Sequence, residues 1–256
     1  MITIDALTKA YGPHVVVDGV TLTLPDAGVT SIVGSNGAGK STLLSLVSRV
    51  LGADAGSVAV DGLDVTRTPG REIARRLAIL RQETHTQARI TVRELVEFGR
   101  YPHSRGRLTP ACRAAVEEAL DYCDLADLAE RPLHELSGGQ RQRACVAMVL
   151  AQDTRYVLLD EPLNNLDLVH ATALMALLRR LADERGKSIV LVLHDVNYAS
   201  VYSDRIIAMR DGAVVHDGHP RDVITEDALE EIYGARFAVH TLAGDRIAAY
   251  YRQESR

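Results

Sequence analysis

The 256-residue sequence, with 46% hydrophobic and 25% charged side chains, has the composition of an ordinary globular domain, large enough to bury most of its apolar surface. A net charge of −5 and a pI near 6.0 leave no basic footprint for nucleic acid. The longest apolar run, Ala144 to Ala151, falls well short of the roughly 18 residues needed to span a bilayer.

Met1 to Asp5 lacks the basic region and apolar core of a signal peptide, so the chain is expected in the cytoplasm. Cys112, Cys123 and Cys145 show no C-x-x-C spacing and read as reduced thiols. Short apolar stretches open the chain: Ile2 to Leu7, Val15 to Val17 and Val20 to Leu24. Separated by turn residues, they predict a small antiparallel layer. Tyr11 sits between the first two, where its ring could pack or could stack on a flat base. Val29 to Val33 predicts a buried strand, and Leu43, Leu44, Leu46 and Val47 place a helix from Lys40 onward.

Between that strand and helix lies Gly34-Ser35-Asn36-Gly37-Ala38-Gly39-Lys40-Ser41-Thr42, which fits G-x-x-x-x-G-K-[ST] at every fixed position. Glycines in such a loop let backbone N–H groups turn inward around phosphates; Lys40 would reach the β and γ oxygens, and Ser41 would ligate Mg²⁺. Gly56 to Val60 and Leu77 to Leu80 read as further strands. From Thr91 to Leu150 only helical patterns appear. Thr91 to Glu94 is a capping-box signature for a helix through Phe98, and Thr109-Pro110 starts another. Leu136-Ser137-Gly138-Gly139-Gln140 stands before a helix from Arg141 to Leu150, as a second anion site or a plain glycine-rich cap.

Strands resume at Tyr156 to Leu159, Ser188 to Leu193 and Arg205 to Met209, alternating with helices as in a covered parallel sheet. Asp160 and Glu161 end the first of these, where ligands of open α/β sheets collect; Asp160 is placed to hold Mg²⁺, and Glu161 to take a proton from water. Asp211-Gly212 predicts a hairpin between Ile207 and Val215, and a helix is expected near Asp227 to Tyr233. The last twenty residues carry no clear pattern. His216 and His219 lack a third metal ligand, and Arg75-Arg76 and Arg179-Arg180 read as solvated helix faces. The expected fold is therefore α/β: a P-loop nucleotide-binding core with a parallel sheet (1–83 and 151–233), a small antiparallel layer, an inserted α-helical subdomain (84–150) and a C-terminal extension (234–256). Two phosphate sites for one nucleotide point to a dimer in which each chain completes the other's site.

These motifs, in this order and spacing, resemble those of the nucleotide-binding subunits of ABC transporters; Leu136 to Gln140 is the most specific among them. The resemblance implies an ATPase using ATP and Mg²⁺. It implies that Tyr11 stacks on adenine, Gly34 to Thr42 hold the phosphates, and Gln82 touches Mg²⁺ or water and senses the membrane subunit. Ser137, Gly138, Gly139 and Gln140 would close on the partner's ATP. Asp160 would be the magnesium ligand, Glu161 the catalytic base, Asp167 the dimer-contact aspartate and His194 the residue facing the γ-phosphate. Ser35 replaces the commoner proline at a variable position, and Asn164-Asn165-Leu166-Asp167 departs from the commoner Ser-x-Leu-Asp. That wording, with Thr91 to Val96 and Phe98 to His103, is similar to iron-chelate importers that take up ferric siderophores. The resemblance implies a homodimer on the cytoplasmic face of the membrane, two permease subunits and an extracytoplasmic substrate-binding protein. Haem or cobalamin import, or a soluble ATPase of iron–sulfur cluster assembly, are the alternatives.

Overall fold

The computed structural model describes residues 1–81 and 89–250. From the N-terminus come β1 (Ile2–Tyr11), β2 (His14–Leu24), β3 (Gly28–Val33), α1 (Lys40–Val47), β4 (Ala55–Val60), β5 (Leu63–Asp64), α2 (Gly70–Ile73) and β6 (Leu77–Leu80). A helical stretch follows: α3 (Val92–Phe98), α4 (Tyr101–Ser104), α5 (Pro110–Tyr122) and α6 (Gly138–Ala151). Strands and helices then alternate through β7 (Tyr156–Asp160), α7 (Leu168–Arg185), β8 (Ser188–Val192), α8 (Val196–Tyr202) and β9 (Arg205–Arg210). The chain continues with β10 (Ala213–Gly218), α9 (Pro220–Val223), α10 (Glu226–Tyr233), β11 (Ala238–Leu242) and β12 (Asp245–Ala249).

The central sheet has the order β10-β9-β3-β8-β7-β6; β9 through β6 run parallel and β10 is antiparallel to β9. Every residue of β7 and β8 is buried, as strands covered on both faces must be. Alternation along β7 divides the interior. Val157 and Leu159 join a core built with α3, α5, α6 and α7, whereas Tyr156 and Leu158 join one formed by α1 and the antiparallel strands. Each such aliphatic side chain contributes about 1.5–3 kcal/mol on burial.

The antiparallel layer is a second sheet, ordered β2-β1-β4-β5. Its first two strands are longer than the sequence fragments predict. The pairing of β1 with β2 shifts register between Ile4 and Leu7 and between Leu7 and Lys9, and Ala6 and Gly19 take positive φ there. Such bulges add unpaired residues and break the two-residue alternation by which a strand is recognised.

Thr91 and Glu94 form the expected capping box on α3, and Thr109 caps α5 with Pro110 in its first turn. One boundary differs: α6 begins at Gly138, not Arg141, because Ser137 and Gln140 form a second capping box. Arg179 is likewise no solvated side chain. Its guanidinium bridges Asp183 and Asp204, and Asp204 in turn accepts from the Val29 N–H at the start of β3. At the C-terminus, β11 and β12 form a hairpin whose turn, Ala243-Gly244, has both residues at positive φ. Among the described residues no helix is long and apolar enough to cross a membrane.

Candidate nucleotide site

The phosphate-loop sequence joins the buried central strand β3 to α1. Gly39, the residue before α1, has φ 95°, and a Cβ there would stand 2.3 Å from the Val16 carbonyl oxygen; only glycine fits. No side chain caps α1, so its first N–H groups and its dipole are directed at the loop. Ala38 anchors the loop by donating to Ser35 O at 3.2 Å and accepting from Gly212 N at 3.2 Å, while Asn36 and Gly37 are exposed. The buried Lys40 ammonium donates to Gly34 O (2.8 Å) and Ser35 O (2.9 Å). Burial lowers its pKa, and the Glu161 and Asp160 carboxylates oppose that shift.

Ser41 and Asp160 meet across 119 positions of sequence: Ser41 Oγ donates to Asp160 Oδ1 at 2.7 Å. Asp160 is buried at the end of β7, and desolvation raises its carboxyl pKa against the pull of the Ser41 hydroxyl, Arg81 and Lys40. A cavity of about 480 Å³ opens beside this pair, lined by Tyr11, Ser41, Thr42, Ser45, Val50, Leu51, Arg81 and Asp160. Tyr11, half exposed at the end of β1, thus shares a wall with the phosphate-loop residues. Arg81 is a cavity residue that sequence reasoning missed. Its position just beyond β6 was the one available signal.

Glu161 stands at the turn after β7 with φ 51°, its N–H bonded to Val192 O. His194, two residues past β8, brings Nε2 to 2.8 Å from Glu161 Oε1. The other carboxylate oxygen accepts from the Asn164 amide. Asn164 therefore orients Glu161, whereas the sequence marked it only as a departure from a commoner motif. A second cavity of about 320 Å³ is lined by these three residues with Leu166, Leu168 and Tyr198.

The glycine-rich segment before α6 is placed differently. Ser137 and Gln140 cap one another, and none of the residues from Ser137 to Gln140 lines either cavity. A Cβ on Gly139 would lie 2.2 Å from the His170 ring, but one on Gly138 would meet only Asn165 O, at 3.6 Å. Asp167 caps α7, accepting from the His170 backbone N–H at 2.8 Å, with His170 Nδ1 at 2.7 Å. These contacts hold its carboxyl below the usual carboxylate range. Gln82 lies outside the described residues. His216 pairs with Glu231 and His219 caps α9; among the described residues no group of three or more His, Cys, Asp or Glu could hold a metal ion.

Comparison with known proteins gives the family. The family model described as ABC transporter matches residues 17–164. The chain is 45% identical to the petrobactin import ATP-binding protein YclP of Bacillus subtilis (strain 168), across 98% of this chain and 100% of that protein. It is 40% identical to the iron(3+)-hydroxamate import ATP-binding protein FhuC of the same organism, across 90% of this chain and 86% of that protein. Among solved structures, an ATP-binding cassette in a dimeric post-hydrolysis state bound to ADP and Pi is similar with a TM-score of 0.76 at 29% identity, across 86% of this chain and 99% of that one. A phosphate loop facing an Asp-Glu pair, on a chain alike to such proteins over nearly its whole length, leads to one conclusion: this chain belongs to the ABC transporter family, as an ATP-binding subunit that hydrolyses ATP.

Proposed function

We propose that the chain is the motor of a ferric siderophore importer, working as a homodimer against two membrane permease subunits fed by an extracytoplasmic substrate-binding protein. The cargo class rests on the relatives, whose printed names concern petrobactin and iron(3+)-hydroxamate import. The motor rests on one observation above all, the junction of Ser41, Asp160, Glu161 and His194 at the carboxyl ends of the strands around β3. In this reading Tyr11 stacks on adenine. The N–H groups from Gly34 to Thr42 cradle the phosphates, and Lys40 leaves its loop carbonyls for the γ oxygens. Glu161, fixed by Asn164 and His194, orients the attacking water and takes its proton, while His194 faces the γ-phosphate. Ser137, Gly138, Gly139 and Gln140 serve the partner chain's nucleotide, with Asp167 at the dimer contact.

The donor set of Ser41 and Asp160, a hydroxyl and a carboxylate on adjacent elements, suits a hard oxygen-seeking cation, and these two residues with Gln82 would hold Mg²⁺. Bound there, the ion would neutralise phosphate charge. The helical insert would move when the dimer closes, with Gln82 linking nucleotide state to the permease.

Substituting Glu161→Gln tests the chemistry. It keeps ATP binding and lowers turnover by on the order of 10²–10⁴, the range for a lost general base; hydrolysis near the wild-type rate would remove Glu161 from that role. The cargo is tested by uptake of radiolabelled ferric catecholate, ferric hydroxamate, haem and cobalamin in cells with and without Lys40→Ala. Loss of one ferric chelate alone supports the reading, and unchanged uptake of all four contradicts it.

A further inference from the structure

His194 is held from two sides. Before it, the Leu193 N–H donates to Ile32 O at 3.1 Å, fixing the chain to the central sheet. After it, Asp195 caps α8 by accepting from Asn197 N at 2.8 Å. The side chain of that same Asn197 reaches out of the first turn of α8 to the C-terminal hairpin. Its Nδ2 donates to Ala248 O at 3.1 Å and its Oδ1 accepts from Ala248 N at 2.8 Å. One turn later, Ser200 Oγ donates to Arg246 O at 2.6 Å.

The hairpin is itself seated. Ala248 is buried, and Phe237 at its base lies 5.5 Å from the Tyr233 ring and 5.6 Å from the Tyr250 ring, centre to centre. The Tyr233 hydroxyl is buried, which pushes its pKa up to about 12. The C-terminal hairpin is therefore packed both on α8, through Asn197 and Ser200, and on the end of α10, through Tyr233. A hairpin of two short strands has little stability of its own. A two-point amide clamp and a short serine bond give it one fixed place relative to α8.

We infer that Asn197 is a positioning residue for hydrolysis: by clamping α8 to Ala248 of the C-terminal hairpin, it fixes the residue two places before its helix, His194, against Glu161. The inference rests on the proposed role of His194. Asn197 lines neither cavity, so any effect on the reaction is indirect.

The test is steady-state ATP hydrolysis by the purified full-length chain in five forms: wild type, Asn197→Ala, Ser200→Ala, His194→Ala, and His194→Ala combined with Asn197→Ala. Small displacements remote from the chemistry cost one to two powers of ten, so Asn197→Ala is expected to lower kcat about tenfold with KM for ATP within about twofold of wild type. Ser200→Ala shows the same split with a smaller loss, and it serves as the readout if the asparagine variant fails to fold. On the His194→Ala background the asparagine change costs nothing further, because the group it positions is already gone. Unchanged kcat in both Asn197→Ala and Ser200→Ala, a change in KM alone, or an equal loss on the His194→Ala background would overturn the positioning role. Wild-type turnover in His194→Ala itself would overturn the role of the histidine, a result read separately from the other four.

Discussion

Two glycine-rich turns each lead into a helix, and the structure treats them in opposite ways. The loop from Gly34 to Thr42 is enclosed by its own chain: Gly39 is forced by the Val16 carbonyl, Lys40 is buried, and Ser41 is bonded to Asp160. The segment from Ser137 to Gln140 satisfies its backbone through a capping box and adjoins neither cavity. The two glycines within it also differ. Gly139 is required by the His170 ring, whereas among the described residues no atom lies close enough to forbid a Cβ at Gly138. The loop from Gly34 to Thr42 meets its carboxylate partner within the chain, and on the proposed reading the segment from Ser137 to Gln140 serves a partner chain's nucleotide.

That contrast sets the order of expected effects. Within the enclosed site, beyond the reacting groups themselves, the first concerns Asn164, the orienting contact on Glu161. Asn164→Ala is expected to lower kcat about tenfold with ATP affinity unchanged, the size of effect expected from loosening a reacting group. Equal kcat in a steady-state assay would show that Glu161 needs no such support.

A smaller effect concerns stability. Burial raises the Asp160 carboxyl pKa above its unfolded value. Its protonated form is thus favoured by folding: that contribution is full below the unfolded value, about 3.9, and is lost as pH rises through the folded one. At about pH 8, without nucleotide or Mg²⁺, Asp160→Asn is therefore expected to melt higher than wild type, with the gap closing toward about pH 4. A gap that is constant or reversed would contradict the burial argument. At the open site, Ser137→Ala loses one cap, worth about 1 kcal/mol or roughly 2–4 °C in a domain of this size, with no pH dependence in that range. Thermal unfolding scans across pH separate the two.

What the sequence made legible follows the same division. The phosphate loop, the Asp-Glu pair and the helix starts at Thr91 and Thr109 are local, contiguous signals, and the structure carries them where expected. Contacts between distant elements left no local trace. Asn197 and Ala248 are separated by 51 positions, and Arg179 meets Asp204 across 25. The start of α6 was misplaced because Gly138 and Gly139 look like a loop, although Ser137 and Gln140 stand at capping-box spacing. The C-terminal hairpin escaped notice because its turn begins with Ala243 at φ 53°, where asparagine or aspartate is the recognisable residue. Gln82 lies outside the described residues, and its role stays with the proposal.

The most direct measurement mixes two inactive chains. Lys40→Ala removes the phosphate-loop cation. Gly138→Asp has room for its Cβ, which among the described residues meets only Asn165 O at 3.6 Å, and on the proposed reading it sets a negative charge where the partner's nucleotide would lie. Each variant alone should show no hydrolysis. Mixed in equal amounts and allowed to exchange, they should recover about a quarter of wild-type activity, because half of the dimers are mixed and each of those holds one intact site of two. No recovery, with both chains folded and exchanging, would mean that each chain uses its own signature segment, and would contradict the account.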